Sequence, residues 1–374
     1  MKKVFLVILC FFIILVIIDD SKNNKKAELE NSVIDIEIEN EIVSKLNDDK
    51  DNEENITKDR IIDEDNIWWK NLNNLPVIKY GDTIDWILWW DPSVIKEWDT
   101  YKMWLSWWRP FETPIIVKIY YASSKDWINW DIKKEAVFES EKDSWDSSSV
   151  ETPSVIKVWN TYHMYYTWYD WDFKTGIYSI WHATSSDWIV WKRDSNNPIV
   201  VPHDDPLKWW HYTTAEPGVV YYNNKFYLYY ASAKSNYPIW PWTWFWIMLA
   251  SSSDWSNFSN NMLAYSISSS YDKTKYRGYS TPSVYVKDDI FYLYHDIVYN
   301  LDWFEQIWIW SATSHDWLNF KESEIEIIWK TSSWWKSESV LAPTVIWDNW
   351  VEKMWFAWHQ FKPKYDFGIW YIYK

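Results

Sequence analysis

Glycine is almost missing: 5 residues of 374, beside 37 tryptophans. Ordinary chains carry roughly 7% glycine, and tryptophan is among their rarest residues. So little glycine would leave an all-β chain few residues free to take positive φ at its corners, and so many indoles would bury N–H donors that each need a partner. Cysteine is down to one, Cys10, which excludes a disulfide within the chain and any cysteine-based metal site. Clustered basic residues are missing as well. With 53 acidic against 37 basic residues and a formal charge of −16, no Lys/Arg stripe is present to meet a phosphate backbone, which argues against a nucleic-acid partner. Only one long apolar run exists, Val4 to Ile18, between Lys2–Lys3 and Asp19–Asp20.

The tryptophans sit where glycine belongs. KDWINW, SDWIVW, SDWSNF and HDWLNF place Trp127, Trp188, Trp255 and Trp317 directly after aspartate, where Asp-Gly is the expected turn dipeptide. EWDTY, VWNTY and DNWVE place Trp98, Trp159 and Trp350 in tight loops between alternating apolar runs, where a type I′ turn requires positive φ. We read most of these tryptophans as glycine sites, UGA codons that the source cell translates as glycine. Trp104, Trp130, Trp191 and Trp355 are different, since sister segments carry Tyr or Phe in their slots, and these are expected to be genuine.

The charge asymmetry around the apolar run predicts an export signal over residues 1–18, with no small-x-small cleavage site after it. An uncleaved membrane anchor and a cleaved signal peptide both remain open, and either places the protein outside the cytoplasm. Residues 19–66 carry a net charge of roughly −10, a composition that cannot bury a core and reads as a disordered acidic linker.

From residue 67 to 374 a repeat takes over. DPSVIK, TPSVIK, EPGVVY, TPSVYV and APTVIW put Pro92, Pro153, Pro217, Pro282 and Pro343 in register, 61, 64, 65 and 61 residues apart. A period of that size means blades. Each proline opens a strand, a tight turn follows, and a second strand is rich in aromatics: TYKMWLS, TYHMYYT, KFYLYYA, IFYLYHD and EKMWFAW. Third and short fourth strands complete the pattern. The prediction is an all-β fold, a five-bladed β-propeller of four-stranded antiparallel blades. The last repeat ends after its third strand, and LPVIKY at 75–80 resembles NPIVVP at 197–202, so the N-terminal strand is expected to close the fifth blade.

The tight turns fall on one face of such a ring, and the long, variable loops on the other, where binding residues concentrate. The residues just before the prolines, Asp91, Thr152, Glu216, Thr281 and Ala342, point at the channel mouth. Two are carboxylates, and Glu151 lies one position earlier in the second repeat. Acids from separate blades meeting at a channel suit glycosidic cleavage, one protonated to assist the leaving oxygen and one ionised to activate water or attack carbon. Arg109, His211 and His359 are candidates for holding sugar hydroxyls. No loop has a calcium-binding spacing, and no metal or cofactor is expected, although a channel of carboxylates could hold a calcium ion.

The stretches DPSVIKEWDTYKMW, ETPSVIKVWNTYHMYYTW and AEPGVVYYNNKFYLYY resemble the five-bladed propeller glycosidases that include glycoside hydrolase families 43 and 32. The resemblance spans roughly residues 70 to 374. It implies a base or nucleophile at Asp91, a tuning and orienting acid at Glu151 and a general acid at Glu216, acting on an oligo- or polysaccharide, with inversion favoured by analogy with family 43. Two features depart from that pattern: Glu151 is displaced one residue from the repeat position held by Thr152, and the third motif reads AEPG where family 43 typically has Glu-Gly-Pro. The expected protein is an exported, monomeric glycosidase. Phosphorolysis or sugar transfer is a related alternative. A propeller that binds a glycan or a cell-surface protein without turning it over is the rival of another class.

Overall fold

The computed structural model describes residues 6–9, 12–15, 69, 76–79, 88–108, 116–141, 149–169, 178–203, 213–234, 244–266, 276–300, 304–328, 339–360 and 366–374. Met1–Trp68 and Trp69–Lys374 are separate compact units. In the first, Leu6–Leu9 and Phe12–Leu15 pair antiparallel, with Leu6 opposite Leu15, so the expected export segment contains a short hairpin. No helix among the described residues is long and apolar enough to cross a membrane. The expected acidic linker lies outside the described residues.

The second unit is all β among its described residues and repeats one antiparallel pattern. The first repeat is Leu88–Glu97, Thr100–Trp108, Lys118–Ser124 and Asp131–Ile132. The second is Ser149–Val158, Thr161–Tyr169, Tyr178–Ser185 and Lys192–Arg193. Thr213–Tyr222, Lys225–Lys234, Trp244–Ser252 and Ser259–Tyr265 form the third. The fourth comprises Tyr276–Lys287, Ile290–Asn300, Phe304–Ser314 and Lys321–Ile328. Ser339–Asp348, Val351–Gln360 and Asp366–Tyr373 supply three strands of the fifth. Its outer partner is Ile78–Lys79, with Ile78 opposite Ile369 and the N–H of Val77 donating to Ile369 O at 2.7 Å. The N-terminal strand therefore completes the last sheet as the sequence predicts.

The first strands touch in cyclic order, each against the next and the fifth against the first. A ladder of hydroxyls explains the order. The residue after each repeat proline accepts an N–H from the following repeat: Val155 N–H donates to Ser93 Oγ (2.9 Å), Val219 to Ser154 Oγ (3.0 Å), Val345 to Ser283 Oγ (3.1 Å) and Val94 to Thr344 Oγ1 (3.3 Å). Gly218 replaces the hydroxyl between the third and fourth repeats. A Cβ there would stand 2.1 Å from Pro282 O, so backbone approaches backbone directly.

Apolar clusters fill the seams from the first repeat through to the fifth, as between Trp104, Val155 and Tyr166 or between Tyr229, Leu249 and Leu293. A second-strand aromatic also clasps the Asp-turn of its neighbour: Trp104 Nε1 donates to Trp188 O (3.2 Å), Tyr165 OH to Trp255 O (2.8 Å), Tyr229 OH to Trp317 O (2.6 Å) and Trp355 Nε1 to Trp127 O (3.3 Å). Trp104 and Trp355 thus do the work of tyrosines, as the aromatic slots predict. Ion pairs that reach partly into solvent reinforce two seams. Asp348 of the fifth repeat joins Lys96 at 2.6 Å and Tyr101 of the first, and Glu97 joins Lys157 and Tyr162 of the second.

The corners show what glycine-poor sequence imposes. Trp98, Trp127, Trp159, Trp188, Trp317 and Trp350 all adopt positive φ, between 52° and 66°. Trp255 does not. In the first two repeats only the first residue of the tight turn, Trp98 or Trp159, is left-handed, which is type II′ character where type I′ was expected. Asn223–Asn224, Asp288–Asp289 and Asn349–Trp350 have both central residues at positive φ, as type I′ requires. In the Asp-turns the carboxylate caps the corner: Asp126 Oδ1 accepts from the N–H groups of Ile128 and Asn129, and Asp187, Asp254 and Asp316 do the same.

Candidate active site

Each first strand carries the same irregularity at its proline. The antiparallel register slips between Trp90 and Ser93, Glu151 and Ser154, Ala215 and Pro217, Ser280 and Ser283, and Leu341 and Thr344. The residue before the proline turns left-handed: Asp91 at φ 47°, Thr152 at 49°, Glu216 at 53°, Thr281 at 45° and Ala342 at 52°. Such conformations cost about 1–3 kcal/mol for a residue with a Cβ, and a following proline restricts the backbone further. The surroundings hold them. Because the bulge recurs where the residue is Thr or Ala, it belongs to the fold; two repeats use it to aim a carboxylate.

The first strands enclose a cavity of about 410 Å³ lined by their residues from Asp91 to Ile95 and the equivalents in the other four repeats. Its wall is mostly valine, isoleucine and proline, and Asp91 and Glu216 stand at its carboxylate end. The structure brings the three predicted acids together. Asp91, Glu151 and Glu216 are 5%, 0% and 2% exposed. Burial raises all three carboxyls, Asp91 to about 7 and Glu151 and Glu216 well above the usual range. The charge of Asp91 acts on Glu151, and both act on Glu216. Glu151, one residue out of step, still falls within that field because a bulge breaks the strict alternation of faces. Its displacement does not remove it from the cluster.

Hydrogen bonding leaves room for a substrate. Ser106 is hydrogen-bonded to Asp91 and pulls its pKa down against the effect of burial, while Asp91 Oδ2 has no partner. Glu216 Oε2 accepts the N–H of Thr281 at 2.7 Å, and Oε1 is unpartnered. Neither oxygen of Glu151 has a partner. Buried polar atoms are almost always satisfied, so these four open carboxyl oxygens stand out, two of them on residues that line the cavity.

A fourth acid, Asp296 within the second strand of the fourth repeat, was not expected. It is fully buried, and burial raises its pKa to about 6 against hydrogen bonds from Ser280, Thr281 and Ala342. Its charge is the largest of those acting on Glu216. The signal was in the segment IFYLYHD, which ends in a carboxylate where TYKMWLS and TYHMYYT end in a hydroxyl. Of the predicted sugar ligands, Arg109 and His211 lie outside the described residues. His359 sits opposite Ser339 and Phe367; its side chain lies outside the described residues. No group of His, Asp or Glu among the described residues is arranged to hold a metal ion.

This all-β fold is similar to that of solved structures described as glycoside hydrolases. One described as a glycoside hydrolase superposes with a TM-score of 0.63 at 14% identity, covering 80% of this chain and 90% of that one. A thermostable family-43 glycoside hydrolase gives 0.57 at 14% identity, over 78% and 91% of the two chains. A family 117 glycoside hydrolase of Zobellia galactanivorans gives 0.55 at 17% identity, over 82% and 89%. No family model matches the sequence, and no curated protein matches it.

Proposed function

We propose that the chain is an exported five-bladed propeller glycosidase that hydrolyses a glycosidic bond of an oligo- or polysaccharide. One observation carries the reading: Asp91 and Glu216, from different repeats, line one central cavity, and Glu151 of a third repeat is buried within reach of their charges, all three with oxygens left unbonded. Glu216, whose carboxyl is pushed well above the usual carboxylate range by burial and by three neighbouring acids, is the general acid. It gives its proton to the leaving oxygen as the bond from the anomeric carbon breaks. Asp91, poised to about 7, takes a proton from the water that forms the new bond to carbon. Glu151 tunes and orients the pair. Residues 1–18 deliver the protein across the membrane, as a cleaved signal or a retained anchor.

Converging acids support catalysis over the rival in which the propeller only binds a glycan, because a binding surface has no need to bury three carboxyls against their own repulsion. The test is a panel of aryl glycosides assayed with the wild type and with the Asp91→Ala and Glu216→Ala proteins. Activity in the wild type that falls at least 10²-fold in both variants is expected. Equal activity in all three proteins would remove the catalytic assignment.

A further inference from the structure

Three of the second strands carry a repeated bracing device, and in the fourth repeat it takes a form that bears on the acid. In the first repeat Ser106 is hydrogen-bonded to Asp91, which precedes its own proline, and its Oγ accepts the N–H of Thr152 in the next repeat at 2.8 Å. Thr167 of the second repeat bonds to Thr152 Oγ1 at 2.5 Å and accepts the N–H of Glu216 at 2.8 Å. In the fourth, Asp296 Oδ2 accepts from Thr281 Oγ1 at 2.5 Å and from the N–H of Ala342 at 3.2 Å, while Oδ1 accepts from Ser280. One side chain thus holds its own strained pre-proline residue and the backbone of the next.

A hydroxyl is enough for that bracing, as Ser106 and Thr167 show. A fully buried carboxylate in the same slot adds charge that the bracing does not need and that burial penalises. The third repeat has Ala231 in the slot and cannot brace Thr281 at all. Glu216 fills the gap, taking the Thr281 N–H on its own Oε2. Thr281 therefore links the two acids, its N–H to Glu216 and its hydroxyl to Asp296.

We propose that Asp296 is a positioning residue for the general acid: through Thr281 it fixes the carboxyl of Glu216, and its own carboxyl faces that group across the shared threonine. The proposal rests on the glycosidase reading for its catalytic meaning. The titratable groups that face Glu216 are Asp296, Asp91 and Glu151, all of one sign. His295, beside Asp296 and packed on Tyr265 and Tyr279, is neutral, since burial pushes its pKa down to about 4. Among the described residues no lysine or arginine acts on Glu216 or Asp296. The charge of Asp296 opposes ionisation of Glu216.

The decisive variant is Asp296→Thr, which installs the residue the second repeat already uses. Asp296→Asn serves as the near-isosteric partner should the threonine protein fold poorly. The expected result is a melting temperature close to that of the wild type, a KM little changed, and an alkaline limb of the kcat profile moved about 1 pH unit or more to lower pH. A second readout needs no substrate: the carboxyl of Glu216, labelled with carbon-13 and assigned by its loss in Glu216→Gln, should titrate at lower pH in both variants. An unchanged titration midpoint and a superimposable pH profile would overturn the proposal. A wild type that cleaves no glycoside would overturn the glycosidase reading instead, and the carboxyl titration would still decide whether Asp296 governs Glu216.

Discussion

The N–H of Thr281 donates to Glu216 Oε2 at 2.7 Å and leaves Oε1 without a partner. One oxygen is anchored on the neighbouring repeat and the other is free, which is the arrangement a proton donor needs. Glu216→Gln keeps the anchor and removes the proton. The variant should lose about 10²- to 10⁴-fold in kcat on substrates with a poor leaving group. It should lose little on dinitrophenyl glycosides, whose leaving oxygen needs no proton. Equal losses on both substrates, measured side by side, would show that Glu216 is not the acid.

The acid cluster makes stability fall as pH rises. Asp91 and Asp296 have folded pKa values raised to about 7 and about 6 from 3.8, so the folded state holds protons that the unfolded chain has released. Their contribution is complete below pH 4 and is lost as pH climbs through those values. For Asp91 the loss is on the order of 4 kcal/mol. His163 and His295, lowered to about 4 by burial, act the other way between about pH 4 and 6.5, so the wild-type curve alone mixes the two signs. The difference isolates the acid: the melting temperature of Asp91→Asn minus that of the wild type should widen from about pH 5 to about pH 7 and level off above it. A constant difference would mean that Asp91 is not destabilised by its site.

The repeat was legible because its markers are local. Proline, turn dipeptides and two-residue alternation are written in the positions they act on, and Ile78 joining Ile369 followed from matching two short strands. The three acids were found because they stand beside the prolines. Asp296 escaped because its slot is defined across a bulge: it lies next to Ala342, 46 residues away, and the hydroxyls that mark the slot elsewhere, Ser106 and Thr167, look like ordinary strand polar residues. The turn geometry of Trp98 and Trp159 was read one type off, since the sequence shows that a left-handed residue is needed but not whether its neighbour shares the burden.

Closure of the ring depends on a glycine. A Cβ on Gly368 would lie 2.4 Å from Ile78 O, inside any tolerable contact, so Gly368→Ala must push the N-terminal strand off the last sheet. A loss of about 1–3 kcal/mol is expected, read as a lowered melting temperature, and removal of residues 67–80 should be more severe still. An alanine protein that melts with the wild type would show that the strand contributes nothing to closure.

Trp98, Trp159 and Trp350 are 91%, 78% and 86% exposed, and all three are left-handed. An exposed indole gains nothing from burial at these corners, while its Cβ meets the steric penalty of positive φ, about 1–2 kcal/mol per residue. Only glycine escapes that penalty, at a smaller entropic cost. Replacing the three by glycine should therefore raise the melting temperature, with a gain of about 1 kcal/mol at each site, whereas alanine, which keeps the Cβ, should gain far less. The same physics predicts what the source cell makes: peptides covering these corners, sequenced by mass spectrometry from the native protein, should contain glycine. Trp104 and Trp355, whose indole N–H groups clasp the neighbouring turns, should remain tryptophan in the same experiment. Intact tryptophan at Trp98 and Trp159 would show that this fold accepts strained corners, and the glycine replacements would then have to stabilise by relief of that strain alone.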